Sequence, residues 1–333
     1  MMMDQDFGRA VELVNKSNNI LITTHTRPDG DACGSVIAMQ KALESAGKNT
    51  LPLFLSEIPH WYQFLFAKPP AVLTKETTPE EIFAEADFTP DLIIIVDTNS
   101  YNQLSSLENF IKQNKKPVLI FDHHVTNDGL GDVQVIDTSA AAAGQIVFKF
   151  LQFADFQITP EMANALFVAI ATDTGWFSFK NTNSEVFTDC AKLVKMGCEP
   201  AKLHHDLYQS FTPQRFQLLA QMLNTLELHF DNRYATQYLT QKHFKKTGAD
   251  RSDTENLINE CQRISSLEVV TLFIELPDGK FKCSLRSTGS VDVRLIAQKF
   301  GGGGHIMASG TSLPGPLDNA QKLIYDEVKK QLL

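Results

Sequence analysis

The chain has 333 residues, 43% of them hydrophobic, so it can bury a substantial core, and its length favours two domains. Its 30 basic and 39 acidic residues give a formal net charge of −9, which argues against capture of long duplex nucleic acid and requires an anionic substrate to be met locally. Five cysteines without a C-x-x-C pair argue against a disulfide framework. The first residues lack the basic and apolar pattern of a leader and no apolar run reaches membrane length, so we expect a cytoplasmic protein with no membrane partner.

Strands and helices alternate through the first half of the chain. Apolar residues at helical spacing in 7–17 precede a strand at 19–24, and the loop 26–31 leads into an amphipathic helix at 32–46. Later strands are predicted at 50–55, 91–96, 117–121 and 133–136, and later helices at 140–153 and 161–172. This alternation predicts an α/β domain with a mainly parallel sheet and helices on both faces, spanning residues 1–186.

The second half of the chain has a different pattern. We expect a helical connector at 187–225, because apolar spacing there is helical and no strand signal appears. Strands return at 226–239 and 269–285, the latter as a hairpin around 277–280, and a helix at 291–300 precedes a glycine run. With a last helix at 317–332, residues 226–333 are predicted to form a smaller α+β domain with its own sheet.

Ionisable residues gather where the apolar segments of the first domain end. They are His25, Asp29, Asp31, Asp97, Asp122, His123, His124 and Asp173. One such residue alone is ordinarily a helix cap, a turn residue or a surface group. Several carboxylates at one sheet edge repel one another, however, and divalent cations neutralise them. Carboxylate and imidazole donors without thiolate favour Mn²⁺, with Mg²⁺, Co²⁺ or Zn²⁺ as substitutes.

The spacing of the acidic residues suggests two ions rather than one. Gly30 separates Asp29 from Asp31, so on an extended loop these two side chains can diverge toward different ions. A lone carboxylate at a strand end, such as Asp97, can offer one oxygen to each ion. Two divalent ions roughly 3.5 to 4 Å apart form a site for in-line displacement at phosphorus, which predicts a phosphoesterase.

Four motifs of this chain resemble, in order and spacing, those of the DHH phosphoesterase superfamily. They are His-Thr-Arg-Pro-Asp-Gly-Asp-Ala at 25–32, Asp97 after a buried strand, Asp122-His123-His124 and Asp173-Thr174-Gly175. Gly301-Gly302-Gly303-Gly304-His305, preceded by Arg286, is similar to the DHH-associated C-terminal domain. Length and arrangement are most similar to the bacterial oligoribonuclease (nanoRNase) and pAp phosphatase group of that superfamily.

The resemblance implies a role for each residue of the predicted metal site. One ion would be held by His25, Asp29 and Asp97, and the other by Asp31, Asp97, His123 and Asp173. His124 would face the phosphate or the attacking water, and Asp122 would orient a ligand. The first domain would therefore be the catalytic one.

For the second domain the resemblance implies substrate binding. Arg286 would clamp a terminal phosphate and His305 would reach into the same cleft, while Gly302, Gly303 and Gly304 would let backbone approach that phosphate. Without a following Lys-Ser or Lys-Thr, the glycine run is not a P-loop and alone would be read as a flexible turn. Trp176, Phe177 and Phe179 either stack a base or pack at a domain junction, and the sequence leaves these alternatives open.

The chain departs from the family pattern at 139–145. The family often shows hydroxyl residues and a glutamate there, whereas this chain has Ala140, Ala141, Ala142, Ala143, Gly144 and Gln145. This difference bears on substrate preference and on the surroundings of the site, not on the predicted metal ligands.

The predicted activity is hydrolysis of short 5′-phosphorylated oligonucleotides, such as pApA, to mononucleotides, and of pAp to AMP. The partners would be short single-stranded oligonucleotides, dinucleotides or pAp. The alternatives within the same chemistry are a cyclic or linear dinucleotide phosphodiesterase and an inorganic pyrophosphatase. From another class, the alternative is a non-catalytic nucleotide-binding regulator. A homodimer is left open.

Overall fold

The chain divides into two compact units, Met1–Ser210 and Phe211–Leu333. The structure is a computed structural model that describes residues 2–74, 76–104, 107–113, 115–209, 211–304 and 306–333. Helices at 184–195 and 200–208 lie in the first unit and a helix at 213–223 lies in the second. The stretch 187–225, expected to be a connector, is thus shared between the two units.

The first unit is built on a parallel sheet. Its strands are β1 (Asn19–Thr23), β2 (Asn49–Phe54), β3 (Ala71–Val72), β4 (Leu92–Val96), β5 (Val118–Asp122) and β6 (Val133–Ile136). Their order across the sheet is β3-β2-β1-β4-β5-β6, and every adjacent pair is parallel. The prediction of a mainly parallel sheet is confirmed.

Helices cover both faces of this sheet, as predicted. They are α1 (Met2–Lys16), α2 (Gly30–Ser45), α3 (Pro79–Glu85), α4 (Leu107–Gln113), α5 (Ala143–Phe153), α6 (Pro160–Asp173), α7 (Ser184–Lys195) and α8 (Pro200–Tyr208). Along β1, Ile20 and Ile22 belong to the core formed with α1, α2, α5 and α6, while Leu21 belongs to the core formed with α3 and α4. Burial on both faces explains why these strands are continuous apolar runs.

The order of the strands fixes where functional side chains can meet. From β1 the chain proceeds outward to β2 and β3, then crosses back so that β4 lies on the other side of β1. In open parallel sheets, ligands bind outside the carboxyl ends of the strands at such a topological switch point. His25 and Asp97 follow the two strands that flank it.

Two glycines allow α2 to lie directly against α6. A Cβ atom added to Gly34 would lie 2.2 Å from the carbonyl oxygen of Ala165, and one added to Gly30 would lie 2.3 Å from Thr172 Oγ1. Both distances are too short for real contacts, so side chains are excluded at these positions. The close approach brings the first turn of α2 and the last turn of α6 to the same place.

We expect Gly34→Ala to destabilise the protein by about 1–3 kcal/mol, because the added methyl group forces α2 away from α6. Urea unfolding followed by circular dichroism measures this loss. Gly8→Ala in α1 is the matched control: a Cβ atom there has nothing within 4 Å, so the same change should stabilise the helix by about 0.5–1 kcal/mol. Equal stabilities for the two variants would contradict the close packing of α2 on α6.

The second unit has its own sheet, as predicted, and this sheet is mixed. Its strands are β7 (Glu227–His229), β8 (Tyr234–Leu239), β9 (Val269–Glu275), β10 (Phe281–Ser287), β11 (Gly303–Gly304) and β12 (Ala308–Leu313), in the order β11-β12-β10-β9-β8-β7. The pair β8 and β9 is parallel and the other pairs are antiparallel. Its helices are α9 (Pro213–Leu223), α10 (Gln241–Thr247), α11 (Val293–Lys299) and α12 (Leu317–Leu332).

The strand β12 was not predicted, because Ala-Ser-Gly-Thr-Ser-Leu has few of the β-branched and aromatic residues that mark strands. The strand forms because it pairs with β10 over six residues, and this pairing supplies its backbone hydrogen bonds.

Among the residues that the structure describes, no helix is both long and apolar enough to cross a membrane.

Candidate metal centre

His25 lies directly beyond β1 with its ring fixed in one orientation. Its Nδ1 is 2.9 Å from the carbonyl oxygen of Thr26, so Nδ1 carries the proton that it donates there. The other nitrogen, Nε2, is 3.2 Å from Asp97 Oδ2 and 3.9 Å from Asp29 Oδ1. An imidazole held in this way presents Nε2 as the ligand atom.

Asp29 and Asp31 diverge for a reason that differs from the one predicted. We expected an extended loop through Asp31, but α2 begins at Gly30. Asp29 is the N-cap, and its Oδ1 accepts hydrogen bonds from the backbone N–H groups of Asp31, at 3.0 Å, and Ala32, at 3.1 Å. Asp is among the best capping residues, so the helix starts earlier than the apolar periodicity indicates. Asp31 therefore points away from Asp29 as a residue of the first turn.

The carboxylate of Asp31 is buried and is held by the start of α5. It accepts hydrogen bonds from the backbone N–H groups of Ala143 at 2.6 Å and Gly144 at 2.8 Å, and from Ser35 Oγ at 3.1 Å. The N-cap residue of α5, Ala142, has no side chain that can cap the helix, and Asp31 takes over that role from another helix. Sequence reasoning missed this arrangement. The four-residue spacing of Asp31 and Ser35 on one helix face signals only their own hydrogen bond and not the contact with α5.

Asp97 lies at the centre of the cluster in an unusual backbone conformation. Its φ is +61°, in the left-handed region that aspartate tolerates better than most residues, and its side chain is 3% exposed. One carboxylate oxygen contacts His25, and the other, Oδ1, is 3.5 Å from His123 Nε2. Within the described ranges Oδ1 has no hydrogen-bond partner, which is rare for a buried carboxylate oxygen and marks it as a free ligand atom.

The residues Asp122, His123 and His124 at the end of β5 have three different environments. Asp122 is fully buried, and its Oδ1 accepts from the backbone N–H of His123 at 2.9 Å and from His124 Nδ1 at 2.8 Å. His123 turns inward, with Nε2 3.5 Å from Asp173 Oδ2 and 3.8 Å from Asp31 Oδ2. The side chain of His124 is 46% exposed. Asp122 thus fixes the two histidines rather than joining the cluster itself.

The predicted ligands fall into two groups that can hold a metal ion. His25, Asp29 and Asp97 form one group, and Asp31, His123 and Asp173 form the other; within each, one ligand atom per residue lies within 4.8 Å of the others. Asp97, His123 and His124 form a third, overlapping group. Asp173 reaches the centre from the end of α6, a helix terminus rather than a strand end.

The charges of the centre are strongly unbalanced when cations are absent. Burial, together with the charge of Asp97, raises the pKa of Asp173 to about 7, and burial also raises the pKa of Asp31 well above its usual range. Burial alone would lower the pKa values of His25 and His123, but the contacts with Asp97 outweigh it and raise them to about 9 and about 10. Protons on these groups compensate the carboxylates, and divalent cations can replace them.

This balance predicts how stability depends on pH after treatment with EDTA. His25 and His123 stabilise the fold fully below their unfolded value of 6.5, and that stabilisation is lost as pH rises toward their folded values near 9 and 10. The pKa of Asp173 is raised as well, and its loss of stability falls between the unfolded value of 3.8 and about pH 7. A divalent cation bound at the centre would take the place of these protons. The gap in Tm between Mn²⁺-treated and EDTA-treated protein should therefore widen by about 4 °C or more from pH 6.5 to 8.5, measured by scanning calorimetry. A gap that narrows with pH would contradict this prediction.

The aromatic residues after Asp173 are mainly packing residues. Gly175, Trp176 and Phe177 all have positive φ, a left-handed turn that directs both large rings back onto the core. Trp176 contacts the rings of Phe167 and Tyr208, among others, and Phe177 packs on Phe167 and Phe187. The ring of Phe179 is 58% exposed and lies over Gly175, where a Cβ atom would come within 2.4 Å of it.

In the second unit, Arg286 and the glycines occupy neighbouring strands. Arg286 is half-buried on β10, and its register partner on β12 is Ala308. In the described part of the chain, the hydrogen bond found for its guanidinium is the one that Nη1 donates to the carbonyl of Leu285 at 3.1 Å. A guanidinium carries five N–H donors, and this described bond uses one of them. His305, the other residue predicted to contact substrate, lies outside the described residues.

The glycines of the run 301–304 are not equivalent. A Cβ atom at Gly302 would lie 2.2 Å from the carbonyl oxygen of Gly310, and one at Gly304 would lie 2.5 Å from that of Ala308. These two glycines let β11 approach β12, which is a structural requirement. A Cβ atom at Gly303 would meet nothing within 4 Å, so that position is open.

Comparisons with known proteins match both units. The family model described as "DHH family, N-terminal domain" matches residues 19–170, and the one described as "DHHA1 domain" matches residues 231–332. The bifunctional oligoribonuclease and PAP phosphatase NrnA of Thermus thermophilus is 31% identical over 319 residues, which cover 94% of this chain and 90% of that protein.

Two further similarities are more distant in sequence. The crystal structure of an exopolyphosphatase-related protein from Bacteroides fragilis has a TM-score of 0.90 at 21% identity, covering 98% of this chain and 96% of that one. The cyclic-di-AMP phosphodiesterase PdeA of Listeria monocytogenes is 23% identical, and the match covers 97% of this chain but 48% of that protein. The structural similarity concerns the fold alone.

Proposed function

This chain belongs to the DHH family of phosphoester hydrolases, and from that premise we propose that it hydrolyses short 5′-phosphorylated oligonucleotides to mononucleotides and pAp to AMP. The observation that carries the proposal is the pair of three-residue ligand groups at the β1/β4 switch point, with Asp97 between two histidines. The relative from Thermus thermophilus, similar over nearly its whole length, supports the choice of substrate.

We propose that the centre holds two divalent cations, preferably Mn²⁺. His25, Asp29 and Asp97 would hold one, and Asp31, Asp97, His123 and Asp173 the other. The donor set fits, because oxygen and imidazole ligands without thiolate suit this ion and because Asp97 keeps one buried oxygen without a hydrogen bond. Bound divalent cations would lower the pKa of a coordinated water and stabilise negative charge on the phosphoryl oxygens.

His124 and Asp122 are proposed to act together on the phosphate. The bond to Asp122 Oδ1 keeps a proton on His124 Nδ1, so that Nε2 is the atom presented outward. The same bond raises the pKa of His124, which favours the imidazolium form that can donate a proton or hydrogen bond to a phosphoryl oxygen. Asp122 would be a positioning residue, since it does not face the substrate.

The second unit is proposed to bind the end of the substrate. Arg286 offers a fork of N–H donors suited to a terminal phosphate, and Gly303, which has open space where a side chain would stand, leaves room for backbone contact. His305 is assigned to the same role on the motif alone. We therefore assign chemistry to residues 1–186 and substrate recognition to residues 226–333.

A cytoplasmic location is part of the proposal. All five cysteines are free and buried, as expected of a protein that works in a reducing compartment. Short single-stranded oligonucleotides, dinucleotides or pAp are the proposed partners, and a homodimer stays a prediction.

One panel of substrates tests the assignment. Purified protein with Mn²⁺ is offered pApA, RNA of two to five nucleotides, pAp, cyclic dinucleotides and pyrophosphate, and products are separated by ion-exchange chromatography. We expect turnover of pApA, short RNA and pAp, with little on pyrophosphate. Binding of nucleotides without turnover of any substrate would instead identify a regulator.

The second candidate function is cleavage of cyclic dinucleotides. The similarity to the cyclic-di-AMP phosphodiesterase of Listeria monocytogenes, which spans 97% of this chain, favours including it. Cyclic substrates lack the terminal phosphate that Arg286 is proposed to bind. Faster hydrolysis of cyclic than of linear dinucleotides would therefore replace the first proposal with this one.

A further inference from the structure

A buried polar pair lies behind the candidate metal centre. Gln145 on α5 is 1% exposed and Asp189 on α7 is 2% exposed. Gln145 Nε2 donates to Asp189 Oδ2 at 3.0 Å, and Gln145 Oε1 accepts from the backbone N–H of Ala141 at 2.8 Å. Lys192 Nζ lies 3.2 Å from the other oxygen of Asp189. The amide of Gln145 is thus satisfied on both sides and has one orientation.

This pair controls the turn by which the chain enters α5. Because Ala142 cannot cap the helix, the Gln145 side chain folds back to the backbone of Ala141 and fixes the residues just before the first turn. The first two backbone N–H groups of the helix, those of Ala143 and Gly144, are the ones that bind Asp31. A contact between α5 and α7 therefore sets the position of the donors that hold Asp31.

The hydrogen bonds to Asp31 leave one direction open for a cation. Oδ1 accepts from Gly144 and Ser35, which uses both of its lone pairs. Oδ2 accepts only from Ala143 among the described residues, and this oxygen is the one 3.8 Å from His123 Nε2. The start of α5 thus selects Oδ2 as the atom that faces His123 and Asp173.

We propose that Gln145 and Asp189 are positioning residues for the second divalent cation, acting through the start of α5 on Asp31. The inference rests on the proposed function, in which Asp31 is a metal ligand. Neither residue contacts the substrate. Their effect is on the affinity of the centre for metal, since residues that orient a metal ligand typically change affinity 10- to 100-fold when altered.

The pair also explains why glutamine, rather than glutamate, fits at position 145 in this chain. A carboxylate there would face Asp189 across about 3.0 Å in a buried site, where two negative charges repel strongly. In this chain the negative charge of the pair is that of Asp189 on α7, beside Lys192. A double variant with Glu at position 145 and Asn at position 189 would again pair one amide with one carboxylate.

The test uses full-length protein stripped of metal and titrated with Mn²⁺ by calorimetry at pH 8, with Tm in EDTA measured in parallel. We expect Gln145→Glu to weaken Mn²⁺ binding at least tenfold and the double change Gln145→Glu with Asp189→Asn to recover it to within about threefold of wild type. Gln152→Glu, an exposed position on the same helix, is the matched control and should bind Mn²⁺ like wild type.

Three results would overturn the proposal. If Gln145→Glu lowers Tm but leaves Mn²⁺ affinity unchanged, the pair supports the fold and does not position a ligand. In the second case, Asp31→Asn binds one Mn²⁺ ion fewer than wild type, but the double variant Gln145→Glu with Asp189→Asn does not recover Mn²⁺ affinity. The proposed metal centre is then supported and the positioning role of the pair is wrong. If Asp31→Asn binds Mn²⁺ as wild type does, the proposed centre itself is wrong and the positioning role falls with it.

Discussion

Asp97→Asn is expected to reduce hydrolysis of pApA by at least about 1,000-fold while leaving the protein folded. The amide has the same shape as the carboxylate, and asparagine tolerates the left-handed backbone at φ +61°. The substitution removes the carboxylate that is proposed to bind both ions. It also places an N–H donor or a neutral oxygen where His25 and His123 now contact a charge. Initial rates at saturating Mn²⁺, with the number of bound ions from calorimetry, measure the effect.

The matched control for this change is Asp155→Asn. Asp155 also has a positive φ, +58°, and is exposed beyond the end of α5, so the same chemical change occurs in the same backbone conformation without a metal nearby. It should leave activity within about twofold of wild type, as is usual for surface substitutions. Metal-dependent hydrolysis that survives in Asp97→Asn would show that the mechanism does not need a shared carboxylate.

Arg286→Ala is expected to lower kcat/KM for pApA about 100-fold, corresponding to the loss of roughly 3 kcal/mol of charge-assisted hydrogen bonding. The guanidinium is half-buried on β10 and donates one bond to the Leu285 carbonyl, and burial lowers its pKa without removing its charge. A small phosphodiester without a terminal phosphate, bis(p-nitrophenyl) phosphate, should be cleaved at nearly the wild-type rate. The difference between the two substrates separates recognition from chemistry.

Lys282→Ala is the control for charge alone. Lys282 lies on the same strand and the same face as Arg286, four residues earlier, and it is exposed. Its removal should change kcat/KM for pApA less than about threefold. If Lys282→Ala and Arg286→Ala lower kcat/KM for pApA equally, the effect is one of general charge and not of specific binding. If Arg286→Ala lowers kcat/KM equally for pApA and for bis(p-nitrophenyl) phosphate, Arg286 acts on the chemical step.

The strand-end residues were predictable because two strong local signals coincide. Buried parallel strands such as 92–96 are continuous apolar runs, and the ionisable residue that ends each run must lie at the carboxyl edge of the sheet. His25, Asp97 and His123 follow directly from that rule. The mainly parallel sheet and the second sheet were predictable for similar reasons, from alternation and turn residues.

The remaining features depend on contacts between distant parts of the chain. Nothing near Asp31 in sequence indicates that it caps α5, more than 100 residues later, and nothing near Gln145 indicates Asp189. The start of α2 at Gly30 was missed because capping by Asp29 overrode the apolar spacing. The tight packing of Gly302 and Gly304 was missed because β12, the strand that they approach, lacks a local signal.

Asp173 stands on α6, which follows all six strands of the first sheet. During synthesis, His25, Asp29 and Asp97 leave the ribosome well before Asp173 and before α5, which orients Asp31. The residues of the group His25, Asp29 and Asp97 are thus all synthesised before the group that contains Asp173 can be complete. A growing chain that ends before α6 lacks Asp173, so Asp31 and His123 would then be without the third residue of their group.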